Sequence, residues 1–426
     1  MRISIISDDL TGASDSGGQL VRYGLKSSVI MQYKPNDLNS KDVVIFNTDS
    51  RSLTPEEAYS RVKTVCQKIK KYDFDVIYKK IDSTMRGNLG YEINAVYDVF
   101  QPDFIIIAPA HPEKGRTVKE GIHYLNGIEL HETEVASDPK TPVRDPFIKR
   151  LVQDQSGREV GHLTHRELNE GNESVLQRLA SFKQQKKLYV TVDSTSKEDL
   201  EKVIQIIMTS EYSVIWCGSA GLINYLPRYF GLIADKQEVE ITRNKNPVLF
   251  VVGSVSKVGR NQLNYLLFNS EVVGVEIDSI KVVTDEQSKE LELKRKAQKT
   301  KSFIKKGKNV VLFSSLNLTE TLKIGEIRGI SPIDISDLIS NALGEIAVNV
   351  IEELKVCNLF LTGGDTAQQV FSRLHVKEYE LIGELEAGIP IGRLASDKQI
   401  IAITKAGNFG TKSVMVKALH KLRGEL

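Results

Sequence analysis

A chain of 426 residues is too long for one ordinary hydrophobic core, so two or three domains are expected. Its 41% apolar and 26% charged residues suit a soluble globular protein, and a formal net charge of +2 gives no reason to expect nucleic acid or an acidic membrane as partner. No run approaches the ~20 apolar residues of a membrane span, and Asp8 falls too early for the apolar region of a signal peptide. Cys66, Cys217 and Cys357 are scattered through apolar segments without a CxxC pair, which predicts buried free thiols and a cytoplasmic location.

The chain opens on an apolar run, Ile3–Ser7, that stops at Asp8-Asp9-Leu-Thr-Gly12. This predicts a buried strand that ends in a tight polar loop. Two adjacent carboxylates there suit a cation, a hydroxyl or a proton, and the structural alternative is an Asp turn that caps the next helix. Strands are predicted at Ser27–Gln32 and Val43–Asn47, the second running into Thr48-Asp-Ser-Arg51. Thr54-Pro-Glu-Glu57 reads as a helix start, and Ala58, Val62, Val65, Cys66 and Ile69 keep helical spacing after it. The strand Asp75–Lys79 ends in Lys80-Ile-Asp-Ser-Thr-Met-Arg86, and the strand Asp103–Ala108 leads to His111, Lys114 and Arg116. Asn126-Gly127 between apolar flanks predicts a hairpin. Asp138–Lys149 is proline-rich and polar, an irregular excursion of lid-like composition. Strands at Leu188–Asp193 and Val214–Cys217 flank a helix at Lys197–Met208.

Asp235–Asn246 lacks apolar periodicity and ends at Pro247, so domains are expected at 1–236 and 237–426. The second half restarts the strand–helix alternation. Val248–Val252 leads into Gly253-Ser-Val-Ser256, Leu359–Leu361 into Thr362-Gly-Gly-Asp-Thr366, and Ile400–Thr404 into Lys405-Ala-Gly-Asn-Phe-Gly410. Helices are predicted at Val258–Phe268, Asp285–Lys306 and Asp334–Leu354. The fold class is therefore α/β, with two domains built on largely parallel sheets.

In such sheets the loops after the strands share one edge, where ligands bind. In the first half that edge collects Asp8, Asp9, Asp49, Arg51, Lys80, Asp82, Ser83, Arg86, His111, Lys114 and Arg116. Acids and bases in alternation suit a small polyhydroxy acid, with arginine for its carboxylate and aspartate for its hydroxyls. Any one of these residues alone reads as a solvated loop residue. In the second half, glycine-rich turns lie between strand and helix at Ser254–Ser256, Gly363–Thr366 and Gly407, which suits phosphate. Asp365 or Thr366 would meet the phosphates or their Mg²⁺, although no GxxxxGK[ST] is present. Other chemistries are weak. His162-Leu-Thr-His165 reads as a solvated pair, Ser219 lacks the GxSxG context, and Asp8-Asp9 lacks the spacing of a phosphatase Asp-x-Asp loop.

Taken together, SDDLTGASDSG, NTDSR, KKIDSTMRGN, APAHPEKGRT, YLNG and DPKTPVRD, then VVGSVS, LTGGDTA, GIPIG and KAGNFG, resemble the four-carbon acid sugar kinase family over essentially the whole chain. The resemblance implies an N-terminal domain for the sugar acid, a C-terminal domain for the nucleotide, and an active site in the cleft between them. It implies ATP-dependent phosphorylation of D-threonate, D-erythronate or a 3-oxo-tetronate at the 4-hydroxyl. It also implies substrate roles for Asp9, Arg51 and Lys80, Ile81, Asp82 and Ser83, and nucleotide roles for Ser254, Gly363, Gly364, Asp365, Thr366 and Gly407. In the expected mechanism Arg51 and Lys80 hold the substrate, Asp82 or Asp9 takes the proton, and Lys80 or Arg86 neutralises the phosphoryl group. Mg²⁺ bridges the nucleotide phosphates, through metal ligands the sequence does not identify. The expected partners are the sugar acid and ATP, with a homodimer left open. The competing readings are a non-catalytic sugar-acid sensor and a Mg²⁺-dependent sugar phosphatase.

Overall fold

The computed structural model describes all residues except 34–37, 39, 139, 236–238, 316 and 396–398. Two compact units emerge: Met1–Ser27 with Leu38–Asp235, and Ser28–Asp37 with Lys236–Leu426. No helix among the described residues is long and apolar enough to cross a membrane.

The first unit is mixed α/β. Its strands are β1 (Ile3–Ser7), the start of β2 (Ser27–Ile30), β3 (Val43–Asn47), β4 (Val76–Lys80), β5 (Phe104–Ala108), β6 (Arg116–Lys119), β7 (Ile122–Leu125), β8 (Ile128–Glu129), β9 (Val160–Leu163), β10 (Tyr189–Val192) and β11 (Val214–Gly218). The order β3-β1-β4-β11-β5-β10-β9 is parallel at each junction. β1 and β5 are buried along their whole length, as continuous apolar runs covered on both faces must be. From β1 the chain goes to β3 on one side and later to β4 on the other, so the strand order reverses at β1. A crevice opens at the carboxyl end of such a strand, and Asp8 and Asp9 follow it directly.

Helix Pro55–Ile69 starts as expected: Thr54 caps it reciprocally with Glu57, Pro55 takes the first turn, and Ala58, Val62, Cys66 and Ile69 face the core. The hairpin between β7 and β8 turns on Asn126 (φ 52°) and Gly127 (φ 82°). Two expectations need correction. His162 and His165 are not both solvated: His162 lies on β9 with Nδ1 2.9 Å from Thr191 Oγ1 and Nε2 3.2 Å from Asp193 Oδ1, because parallel β10 brings those groups alongside. Cys66 and Cys217 are buried free thiols, but Cys357 is only half-buried. Within the lid-like stretch, Pro139 lies outside the described residues, and a helix begins at Ile148.

The second unit carries β12 (Val248–Val252), β13 (Val273–Ile277), β14 (Val310–Ser314), β15 (Asn358–Thr362), β16 (Glu378–Glu386), β17 (Ile389–Ala395) and β18 (Gln399–Lys405). The run β13-β14-β12-β15-β18 is parallel, and β17 and β16 continue it antiparallel. Here the order reverses at β12, whose carboxyl end feeds Gly253-Ser-Val-Ser256. Phe250, Val252, Phe360, Ile391, Ile403 and Met415 form part of its core. Past β2, the backbone N–H groups of Met31 and Gln32 donate to the Lys377 carbonyl at 3.0 and 3.1 Å.

Candidate active site

In the first unit three strand ends are level, since Ser7 pairs with Asn47 on one side and Lys80 on the other. The loops that follow therefore converge. Arg51 is the centre of the convergence: Nε donates to Asp8 Oδ2 at 2.6 Å, and Nη2 to Asp8 Oδ1 at 3.0 Å and Asp9 Oδ1 at 2.7 Å. Its Nη1 lies 4.0 Å from Asp82 Oδ1. Burial works against the Asp8 carboxylate, but Arg51, with Lys79 and Lys80 behind, outweighs it and holds the group below its ordinary range.

Asp9 serves two purposes. Its Oδ1 accepts from Gly12 N at 2.9 Å and so caps helix Leu10–Val21, while the same carboxylate faces Arg51. One side chain thus makes the expected helix cap and also an ion pair with Arg51.

Asp82 is gripped from one side by Arg86, through Nε at 2.7 Å and Nη2 at 3.3 Å, and by Thr84 Oγ1 at 2.5 Å. Burial again opposes its charge, yet Arg86 and Arg51 keep its carboxyl well below the usual value. Arg86 also donates to Asp138 Oδ2 at 2.9 Å, and Asp138 accepts the amides of Lys140 and Thr141. The Asp138 loop is thereby tied to the site through one arginine. Ile81 is fully buried and gives only its backbone, donating to Gly218 O at 2.9 Å, whereas Ser83 is partly exposed on the loop.

Lys80 differs from Arg51 and Arg86. Its Nζ donates to Ile81 O at 2.7 Å, and no carboxylate among the described residues forms an ion pair with it. A buried ammonium held in no direct ion pair is a ready partner for an anionic ligand. After β5, Lys114 Nζ lies 3.6 Å from Asp15 Oδ2, and burial pushes His111 down to about 3, so its imidazole is neutral.

Beneath this layer lies a pair that the sequence did not single out. Lys79 Nζ sits 2.6 Å from Glu92 Oε2, and Glu92 Oε1 accepts from Ser50 Oγ at 2.7 Å. Ser50 N in turn donates to Asp8 O at 3.0 Å. Burial raises Glu92, and Glu92 raises Lys79 against burial. The available signal was a carboxylate on the apolar face of helix Leu89–Phe100, between Leu89 and Val96.

In the second unit the ends of β12, β15 and β18 are also level: Val252 pairs with Thr362, and Thr362 with Lys405. Ser254 Oγ and Ser256 Oγ are 3.0 Å apart, and Ser256 both caps helix Lys257–Asn269 and donates to Gly407 O at 3.0 Å. Gly363 has φ +99°, and a side chain there would sit 3.3 Å from Ser254 N. A Cβ on Gly407 would lie 2.6 Å from Ser254 Oγ, so any side chain there would have to displace that hydroxyl. Helix Gly364–Arg373 has no side-chain N-cap, its first turn carries exposed Asp365, and Thr366 is buried beside Gly253. Its N-terminal amides are thus oriented for an anion. Lys405 is buried, and burial pulls its ammonium down to about 7. The predicted site residues accordingly form one cluster in each unit.

Comparison with known proteins finds one family model in each half of the chain. Residues 3–226 match a sugar-binding N-terminal domain and residues 249–415 a nucleotide-binding C-terminal domain. The chain is 32% identical to a D-threonate kinase of Salmonella typhimurium, over 99% of this chain and 98% of that one. It is 30% identical to a D-erythronate kinase of Heliobacterium modesticaldum, over 96% and 94%. A crystal structure from Salmonella typhimurium LT2 shares the fold with a TM-score of 0.79, at 21% identity over 98% of each chain. The chain belongs to the four-carbon acid sugar kinase family.

Proposed function

We propose that the protein is an ATP-dependent kinase that transfers a phosphoryl group to the 4-hydroxyl of a four-carbon sugar acid, D-threonate or D-erythronate. The observation that carries this reading is Lys80, a buried ammonium at the β1 switch point, surrounded by carboxylates that other cations already satisfy. Lys80 takes the substrate carboxylate. Because Arg51 is occupied by Asp8 and Asp9, it shapes the wall and holds those carboxylates ready for substrate hydroxyls. Asp82 accepts the proton from the attacking hydroxyl through Oδ1, its less committed oxygen, since Arg86 and Thr84 converge more closely on Oδ2. A weakly basic carboxylate is sufficient here, because the transition state of phosphoryl transfer is loose and depends mainly on positioning and charge. Arg86 neutralises the group in transit.

The nucleotide's phosphates rest on the second unit, among Ser254, the first turn of helix Gly364–Arg373 and Gly407. Asp365 and Thr366 would offer oxygen ligands to a Mg²⁺ bound with the nucleotide, which would offset phosphate charge. The test is ADP release from ATP·Mg²⁺ with a panel of stereoisomeric tetronates and 3-oxo-tetronates. Selective turnover of one tetronate supports the reading. Absence of ADP release with every four-carbon acid, from protein that still binds ATP, refutes it.

A further inference from the structure

The loop after β18 has its carbonyl oxygens collected on buried donors. Lys405 Nζ donates to Ala406 O at 2.7 Å, Gly407 O at 2.9 Å and Phe409 O at 3.1 Å. Those three bonds use all three of the ammonium's N–H donors. Gln262 Nε2 reaches Phe409 O, Gly410 O and Thr411 O at 3.0, 3.0 and 3.1 Å. Both side chains are 1% exposed, so neither is there to meet solvent.

A trans peptide points its C=O and the next N–H in opposite directions. Drawing these carbonyls inward turns the N–H groups of Gly407, Asn408, Gly410, Thr411 and Lys412 away from the clamp. One of them already holds an anion: Thr411 N donates to the Glu386 carboxylate at 2.8 Å. Gly407, at the other end of the loop, closes on Ser254.

We infer that Lys405 and Gln262 are positioning residues that hold the 406–411 backbone so that its amides face the nucleotide's phosphates. Neither side chain touches the phosphate itself. The inference rests on the nucleotide-binding reading of the second unit.

Calorimetric titration of the full chain with ADP and with adenosine tests it. Lys405→Met and Gln262→Met are each expected to raise the Kd for ADP at least tenfold, to leave the Kd for adenosine within twofold, and to leave the KM for the sugar acid unchanged. A purely structural loop would instead lose ADP and adenosine binding together, and that result overturns the inference. So does an unchanged ADP Kd in the folded variants. If Lys405→Met does not fold, Gln262→Met decides alone, since it removes the amide donor without removing a charge. If the unmodified chain binds neither ADP nor ATP, the nucleotide reading itself fails and takes this inference with it.

Discussion

Lys79 and Glu92 meet at 2.6 Å with side chains 0% and 2% exposed, so two full charges face each other inside the first unit. Removing one member of such a pair leaves the other charged and without compensation, at a cost of about 3–5 kcal/mol. Lys79→Met should therefore lower the urea midpoint sharply, and Lys79→Met with Glu92→Leu should recover much of the loss. A single variant within about 1 kcal/mol of the parent would show that the pair contributes no more than an exposed one.

Lys80→Met addresses the neighbouring residue with the opposite expectation. Its Nζ has no carboxylate partner among the described residues, so stability should change little beyond the loss of one bond to Ile81 O. The KM for the sugar acid should rise about 10- to 100-fold, the worth of roughly 1.5–3 kcal/mol for a charged hydrogen bond. The KM for ATP should not move. Steady-state kinetics with each substrate varied in turn decides this, and an unchanged sugar-acid KM would take the carboxylate away from Lys80.

Asp82→Asn keeps the shape of the side chain and removes the proton acceptor. Turnover should fall on the order of 10²-fold or more, while ADP affinity stays within twofold. Near-normal turnover in this variant would exclude Asp82 as the base and leave Asp9, whose Oδ1 already serves Gly12 and Arg51.

Acid should destabilise the fold through two buried histidines. Burial lowers His111 and His123 from 6.5 to about 3, so both are neutral when folded and take up a proton only on unfolding at pH 5. Because the folded values are depressed, the stability is fully present above about pH 6.5 and is lost progressively as pH falls toward 3. At pH 5 each site costs about 2 kcal/mol. Both ring nitrogens of His123 are buried without a hydrogen-bond partner among the described residues, so His123→Phe breaks none of the ring's described bonds. Chemical denaturation at pH 7.5 and pH 5 should show a gap smaller by about 2 kcal/mol in this variant. An unchanged gap would mean that His123 does not titrate on unfolding.

Much of this was readable from local rules. Thr54, Pro55 and Glu57 announced a helix start because a cap is a property of four adjacent residues. Asn126-Gly127 announced a turn because only such residues accept positive φ at both centres. Asp8, Arg51, Lys80 and Asp82 could be grouped because parallel strands bring their loops to one edge. Their division of labour could not. Which cation faces which carboxylate depends on the register of Ser7 with Asn47 and with Lys80, and this left Arg51 occupied and Lys80 in no direct ion pair among the described residues. Glu92 was hidden by its surroundings: on an amphipathic helix a lone carboxylate reads as surface until a lysine from another strand is found beside it. The antiparallel pair β16–β17 was also missed, since Gly388 and the bulges in β16 interrupt the alternation that would have marked it.

The two backbone bonds from Met31 and Gln32 to the Lys377 carbonyl have a practical consequence. Cutting the gene near codon 236 would not give two self-sufficient proteins. The upstream product would carry two backbone N–H donors whose acceptor is encoded about 350 codons later, and the downstream product would lack them. Backbone N–H groups left without their acceptor invite association with other chains. Co-expression of the two pieces, in which each supplies what the other lacks, is the form in which a split version of this protein should remain soluble.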